Sequence, residues 1–182
     1  EITMDTLTLT KPMELELERV NIEKLAEDVL EVVADEEKTV DLRTQFSDDF
    51  PEILCDRSLI RSVLMNLAHN AYEEVGNKGF IEIGGEYLGN KMVKIWVSDN
   101  GKGVKLDKNT LFKTFKSNRG SFGIGLSLVK KIVLEHYGEI EVDSSEDKGT
   151  KFIIEMPSDF HFIDRRSGED RRRSNGRRKE DK

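Results

Sequence analysis

Val97-Ser-Asp-Asn-Gly-Lys-Gly-Val104 is where an apolar run gives way to a glycine-rich loop. The run before it, Met92-Val-Lys-Ile-Trp-Val97, alternates well enough to predict a strand, and Asp99 falls where that strand must end. An ionised carboxylate only accepts hydrogen bonds. Held at the mouth of an apolar site, it suits a ligand that offers a donor, such as the exocyclic amine of adenine. Gly101 and Gly103 let the backbone take positive φ and approach that ligand closely. Asp-Asn-Gly is also an ordinary turn signal, so the meaning of these eight residues depends on the rest of the chain.

Upstream lies a predicted helix from about Arg57 to Val75, with Asp56 as its cap after Phe50-Pro51. Ile60, Val63, Leu64, Leu67 and Ala71 make its apolar stripe, and Arg61, Ser62 and His69 point away from it. Asn66 and Asn70 fall about 40° apart on the shoulder of the stripe, beside Leu59 and Val63. Helix interiors disfavour Asn, so the repeat at i and i+4 is a local cost that asks for partners. Two readings fit: amides tying the helix to a loop, or a hard-oxygen site for Mg²⁺ that keeps most of its waters and bridges phosphates.

Downstream comes Arg119-Gly-Ser-Phe-Gly-Ile-Gly-Leu-Ser-Leu-Val-Lys-Lys-Ile-Val133, three glycines opening a helix with an apolar face. Converging backbone N–H groups at such a helix start make a phosphate cradle, and Lys113, Lys116 and Arg119 add charge that could meet a triphosphate. Between the two glycine regions lie about twenty residues with little periodicity, the length of a functional lid. Phe112 and Phe115 within them read equally as a helical turn on the core or as a lid hinge.

The other elements follow from period and punctuation. An edge strand runs from Leu15 to Val20, and a helix capped by Asn21 continues to about Glu37. Strands are expected at Val40–Phe46, Phe80–Leu88 and Lys91–Val97, the last two joined by Gly89-Asn90. Two more are expected at Glu139–Val142 and Thr150–Met156, with Pro157 closing the domain. Residues 158–182 hold Arg clusters interleaved with acids and read as a disordered Arg-rich tail. A net charge of −7 argues against the whole molecule being a nucleic-acid binder. The single Cys55 permits no internal disulfide, which favours a reducing, cytoplasmic setting, and no apolar run reaches the roughly 20 residues that span a bilayer.

Taken in order, these stretches resemble the nucleotide boxes of the sensor histidine kinases, members of the GHKL ATPases. Asn66-Leu-Ala-His-Asn70-Ala71 is similar to the N box and Asp99-Asn-Gly101-Lys-Gly103 to the G1 box. Phe112 and Phe115 are similar to the F box, and Gly123-Ile-Gly125-Leu126 to the G2 box. The resemblance covers roughly residues 15–157 and implies a two-layer α/β sandwich of the Bergerat ATP-binding type, a mixed sheet with helices on one face. It leaves 1–14 as a remnant of an upstream dimerisation helix or linker. It implies ATP and Mg²⁺, with Asp99 accepting from the adenine amine and Gly101 and Gly103 shaping that pocket. Asn70 would ligate the metal with Asn66 supporting it, and Gly123, Gly125 and Leu126 would hold the triphosphate. Hydrolytic relatives carry a glutamate at the position of Asn66. An amide cannot act as a base, which favours transfer of the γ-phosphoryl group to a protein acceptor.

The implied acceptor is a histidine on a dimerisation and phosphoacceptor domain outside this chain, since His69, His136 and His161 do not sit in such a helix. A response regulator would receive the phosphoryl group next. Dimers would form only through that missing domain, the membrane would be met only through segments outside this chain, and no specific nucleic acid is expected. Glu73 stands where many sensor kinases have Lys or Arg; the nitrogen-regulator-like branch tolerates an acid there, with Lys116 or Arg119 supplying the charge. Ser121 and Phe122 depart from the usual Gly and Ser or Thr. Two alternatives share these boxes: an anti-sigma-type serine kinase of the same superfamily, and a nucleotide-sensing module that transfers nothing.

Overall fold

The computed structural model describes residues 13–34, 39–103, 124–146 and 148–159. Phe112, Phe115, Lys116, Arg119 and Gly123 lie outside them, as do residues 1–12 of the expected remnant and 160–182 of the expected tail.

Among the described residues, seven strands and three helices follow in the order β1 (Leu17–Val20), α1 (Ile22–Val33), β2 (Asp41–Phe46), β3 (Ile53–Asp56), α2 (Arg57–Glu74), β4 (Phe80–Gly89), β5 (Met92–Asp99), α3 (Ile124–Glu135), β6 (Glu139–Ser144) and β7 (Thr150–Pro157). Five strands form one mixed sheet in the order β2-β4-β5-β7-β6, with β2 parallel to β4 and the other pairs antiparallel. The alternation of β5 sends Val93, Ile95 and Val97 into the core, which they share with Leu25 and Val29 of α1, Leu64 and Leu67 of α2, and Val129 and Ile132 of α3. Burial of each such side chain contributes about 1.5–3 kcal/mol. The other face is polar and internally paired: Trp96 donates through Nε1 to Glu82 at 2.9 Å, Arg43 reaches the same carboxylate at 3.0 Å, and the ammonium of Lys151 stands 4.5 Å from the centre of the Trp96 ring. This is the expected two-layer sandwich with its helices on one side.

Both predicted caps hold. Asn21 accepts from Lys24 N at 2.9 Å and Asp56 from Leu59 N at 3.0 Å. α1 stops at Val33, short of the expected Glu37. Apolar spacing lapses there, and Asp35, Glu36 and Glu37 would crowd the negative end of the helix dipole. The hairpin turn is Asn90-Lys91, with φ of 50° and 62°, one residue beyond the expected Gly89-Asn90. Positive φ at both central positions is the type I′ signature that suits twisted strands, and Gly89 instead sits at a register shift. The expected edge strand near residue 17 does not join the main sheet. It pairs with β3, a four-residue strand that the sequence did not announce. Ser158 and Asp159 continue the fold past Pro157: Ser158 is buried and exchanges backbone bonds with Lys91 and Leu54, and Asp159 pairs with Arg19 at 3.3 Å. Cys55 is buried in β3, and burial first, then the charges of Asp56 and Glu18, push its thiol up to about 12.

Candidate functional site

β5 carries Asp99 to its last position, inside the fold rather than on its surface, with only 6% of its surface exposed. Oδ1 accepts from Gly101 N at 2.7 Å and from Thr150 N at 3.3 Å. No donor among the described residues reaches Oδ2. Burial raises the Asp99 pKa above the usual carboxylate range; the two backbone N–H groups oppose that shift and the charge of Glu74 adds to it. The carboxylate is therefore fixed by one oxygen and offers the other.

The loop after Asp99 is held close on both sides. A Cβ on Gly101 would stand 2.6 Å from the Glu74 carbonyl at the end of α2, and one on Gly103, at φ 63°, would overlap Ser145 O and lie 2.8 Å from Gly149 O. Gly149, at φ 82°, backs onto Asp99 itself, because a Cβ there would overlap the Asp99 carbonyl oxygen. Asn100 fastens the loop from outside by accepting from Phe80 N at 2.7 Å.

α2 joins this end of the site to the other. Asn66 donates through Nδ2 to Ser62 O at 2.7 Å, which turns its Oδ1 toward the start of α3, where a Cβ on Gly125 would come within 2.8 Å of that oxygen. Glu74 lies eight positions along α2 from Asn66, about 12 Å at 1.5 Å per residue, with Asn70 midway. Asn70 is half-buried, and its amide has no hydrogen-bond partner among the described residues. The expected residues thus fall along α2: Gly125 at Asn66, Asp99 and Gly101 near Glu74, Asn70 between.

Leu126 is half-buried and packs against the apolar core beside the helix start. Glu73 faces solvent, 3.7 Å from the exposed His69 one turn earlier. Gly149, Thr150 and Ser62 were missed. Thr150 and Ser62 act on the site through backbone atoms, which leave no residue-type signature; only the glycine at position 149 is a visible cue. Among the described residues no three His, Cys, Asp or Glu side chains cluster as a metal site, and no helix is long and apolar enough to cross a membrane.

The family described as histidine kinase-, DNA gyrase B- and HSP90-like ATPase matches residues 55–159, a stretch that contains α2, β5 and α3. Sensor histidine kinase ZraS of Escherichia coli (strain K12) is 33% identical over 160 residues, covering 86% of this chain and 34% of that protein. The chain therefore spans about a third of the length of this curated relative. Full-length ShkA, solved with AMPPNP, superposes with a TM-score of 0.76 at 28% identity, covering 84% of this chain and 34% of that one. Histidine kinase ThkA, solved with the response regulator TrrA, does so with a TM-score of 0.72 at 27% identity, covering 85% and 46%.

Proposed function

Because the chain belongs to the histidine kinase-, DNA gyrase B- and HSP90-like ATPases, in their sensor-kinase form, we propose that its site binds Mg²⁺·ATP. We propose further that it presents the γ-phosphoryl group to a histidine on a dimerisation domain outside this chain. The observation that carries this reading is Asp99. A buried carboxylate whose Oδ1 is occupied by two backbone donors, and whose Oδ2 is not, is a fixed single acceptor, as the amine of adenine requires.

The phosphate end follows from α2 and α3. Gly125, with Gly123 by resemblance, would bring backbone N–H groups to the triphosphate, and Lys116 and Arg119 would add charge. Phe112 and Phe115 would border the nucleotide. Asn70 suits Mg²⁺: its amide oxygen is a hard ligand with no competing partner among the described residues. Bound there, the ion would neutralise charge on the phosphate oxygens.

In the transfer, the acceptor histidine nitrogen forms a bond to the γ-phosphorus as the bond to the β–γ bridging oxygen breaks, and ADP leaves. Asn66, pinned by Ser62, cannot take a proton from water, so the residues of this chain act by orientation and charge rather than by making a nucleophile. The phosphoryl group would pass on to an aspartate of a response regulator. The acid at Glu73, where many sensor kinases resembling this chain have Lys or Arg, is the residue that would fit the nitrogen-regulator-like branch. The domain would work in the cytoplasm, with any membrane anchor in other segments.

The test combines calorimetric titration with MgATP and transfer of labelled γ-phosphate to a separately prepared dimerisation domain. Saturable binding and an acid-labile phosphohistidine are expected. An acid-stable phosphoserine would replace the reading with the serine-kinase one, and binding without transfer would leave a nucleotide-sensing module.

A further inference from the structure

The two helices that line the site meet again at their far ends, in a buried node that nucleotide binding does not use. His136, just past α3, has no exposed surface. Its Nδ1 lies 2.8 Å from Ile132 O and must donate, which leaves Nε2 to accept from Asp56 N at 3.1 Å. Asp56 caps α2 through Oδ1, and its Oδ2 accepts from Glu16 N at 3.0 Å, where the incoming chain reaches β1. That incoming segment is itself seated, with Met13 against the core.

The distances along the two helices match. From Asp56 to Asn66 is about 15 Å, and from His136 back to Gly125 about 16 Å. The pair is therefore pinned at both ends of one span: His136 on Asp56 at the first, Gly125 against Asn66 at the second. A slip of α3 along α2 would break the first contact and move Gly125 off Asn66.

We propose that His136 is a positioning residue for the nucleotide site, and that Asp56 extends its hold to Glu16, so that the segment before β1 is mechanically coupled to the spacing of Gly125 and Asn66. What that spacing controls rests on the nucleotide reading above. The coupling itself rests on the hydrogen bonds. A displacement of residues 13–16 is felt at Asp56 Oδ2, passes through the Asp56 backbone to His136, and reaches the start of α3 along a rigid helix.

The test uses MgATP titrations of the whole chain and three variants, well below their melting temperatures. His136→Leu takes the acceptor from the buried Asp56 N–H and one of its two donors from the Ile132 carbonyl, which keeps the backbone N–H of residue 136, and should weaken MgATP binding about tenfold or more through misplacement alone. His136→Gln can accept from one and donate to the other, and should restore affinity to within about threefold. Asp56→Asn keeps the Oδ1 cap and the backbone bond to His136 but sets an NH₂ group against Glu16 N, and should also weaken binding. Should the Leu variant not fold, Asp56→Asn decides. Folded Leu and Asn variants that bind MgATP as the unmodified chain does would overturn the proposal.

An unmodified chain that binds no MgATP would overturn the nucleotide reading alone. Hydrogen exchange of the 125–128 amides without nucleotide then decides on the coupling. Exchange about tenfold faster in the variants supports it, and unchanged exchange overturns it.

Discussion

Asp99→Asn separates binding from folding because of how the two carboxylate oxygens are divided. The amide oxygen can take the place of Oδ1 and keep the bonds from Gly101 N and Thr150 N, while an NH₂ group replaces Oδ2 and faces the adenine amine donor to donor. A hydrogen bond to a charged acceptor contributes about 1.5–3 kcal/mol, and leaving a buried donor unpaired costs about 1–3 kcal/mol more. At 1.4 kcal/mol per decade, affinity for MgATP should fall between about sixtyfold and about twenty-thousandfold. Guanine presents an acceptor at O6, so the loss should be much smaller for MgGTP. Burial raises the Asp99 pKa despite its two N–H partners, so the ionised carboxylate is a cost to the fold. The Asn variant should therefore melt at or above the unmodified chain. Asp99→Ala should melt lower, since it leaves two buried N–H groups without an acceptor. Paired calorimetry and thermal unfolding read both axes. Unchanged ATP affinity in the Asn variant, or destabilisation equal to that of the Ala variant, would refute the single-acceptor reading.

Asn70→Ala removes an amide with no described partner, so it should leave the melting temperature within a degree or two while lowering Mg²⁺-dependent transfer about a hundredfold, read as initial phosphorylation rate against ATP affinity. Gly149→Ala places a Cβ on the Asp99 carbonyl at φ 82°, and should cost about 2–4 kcal/mol in urea unfolding. Burial lowers the His136 pKa, so the unfolded chain binds the proton more readily. The stability held in its neutral form is complete above about pH 6.5 and is lost as pH falls from there toward the depressed folded value, at a limiting slope of about 1.4 kcal/mol per pH unit; His136→Gln should flatten that slope in denaturant titrations at successive pH values. Asp99 acts in the opposite sense, since the folded state takes up its proton first. Cys55, with a thiol pushed up to about 12 and no exposed surface, should resist a thiol reagent in the folded chain and react on unfolding, as a colorimetric time course would show.

What could be read from residues alone was whatever residue type and period encode. The stripe of α2, the caps Asn21 and Asp56, and a strand ending at Asp99 all have local causes, and the structure places each within a residue or two of its expected position. β3 escaped because four residues after a proline are too few to establish alternation, and its partner lies 33 residues upstream at Val20. The hairpin turn shifted by one residue because Gly89 is the stronger turn former, yet the sheet uses it at the register shift. Thr150 is 51 positions from Asp99 and acts through a backbone N–H common to nearly all residues. His136 carries no local cue beyond preceding Tyr137-Gly138, and its partner, 80 positions away, is again a backbone N–H.

Three features of this chain oppose local stability or propensity: a buried carboxylate, two Asn residues within a helix, and a glycine at the start of another. Each has an ordinary structural explanation when taken singly. Their placement does not, because Asn66 meets Gly125, Gly101 rests on the end of the same helix, and Asp99 is held by that glycine. Local costs that share one helix, with an acceptor at one end and a glycine-led helix start at the other, are what the proposed nucleotide site would need at its two ends. Relief of any one of them should stabilise the domain or leave it unchanged while impairing ligand binding. A fold that lost stability at all of them would instead have used them as structural contacts.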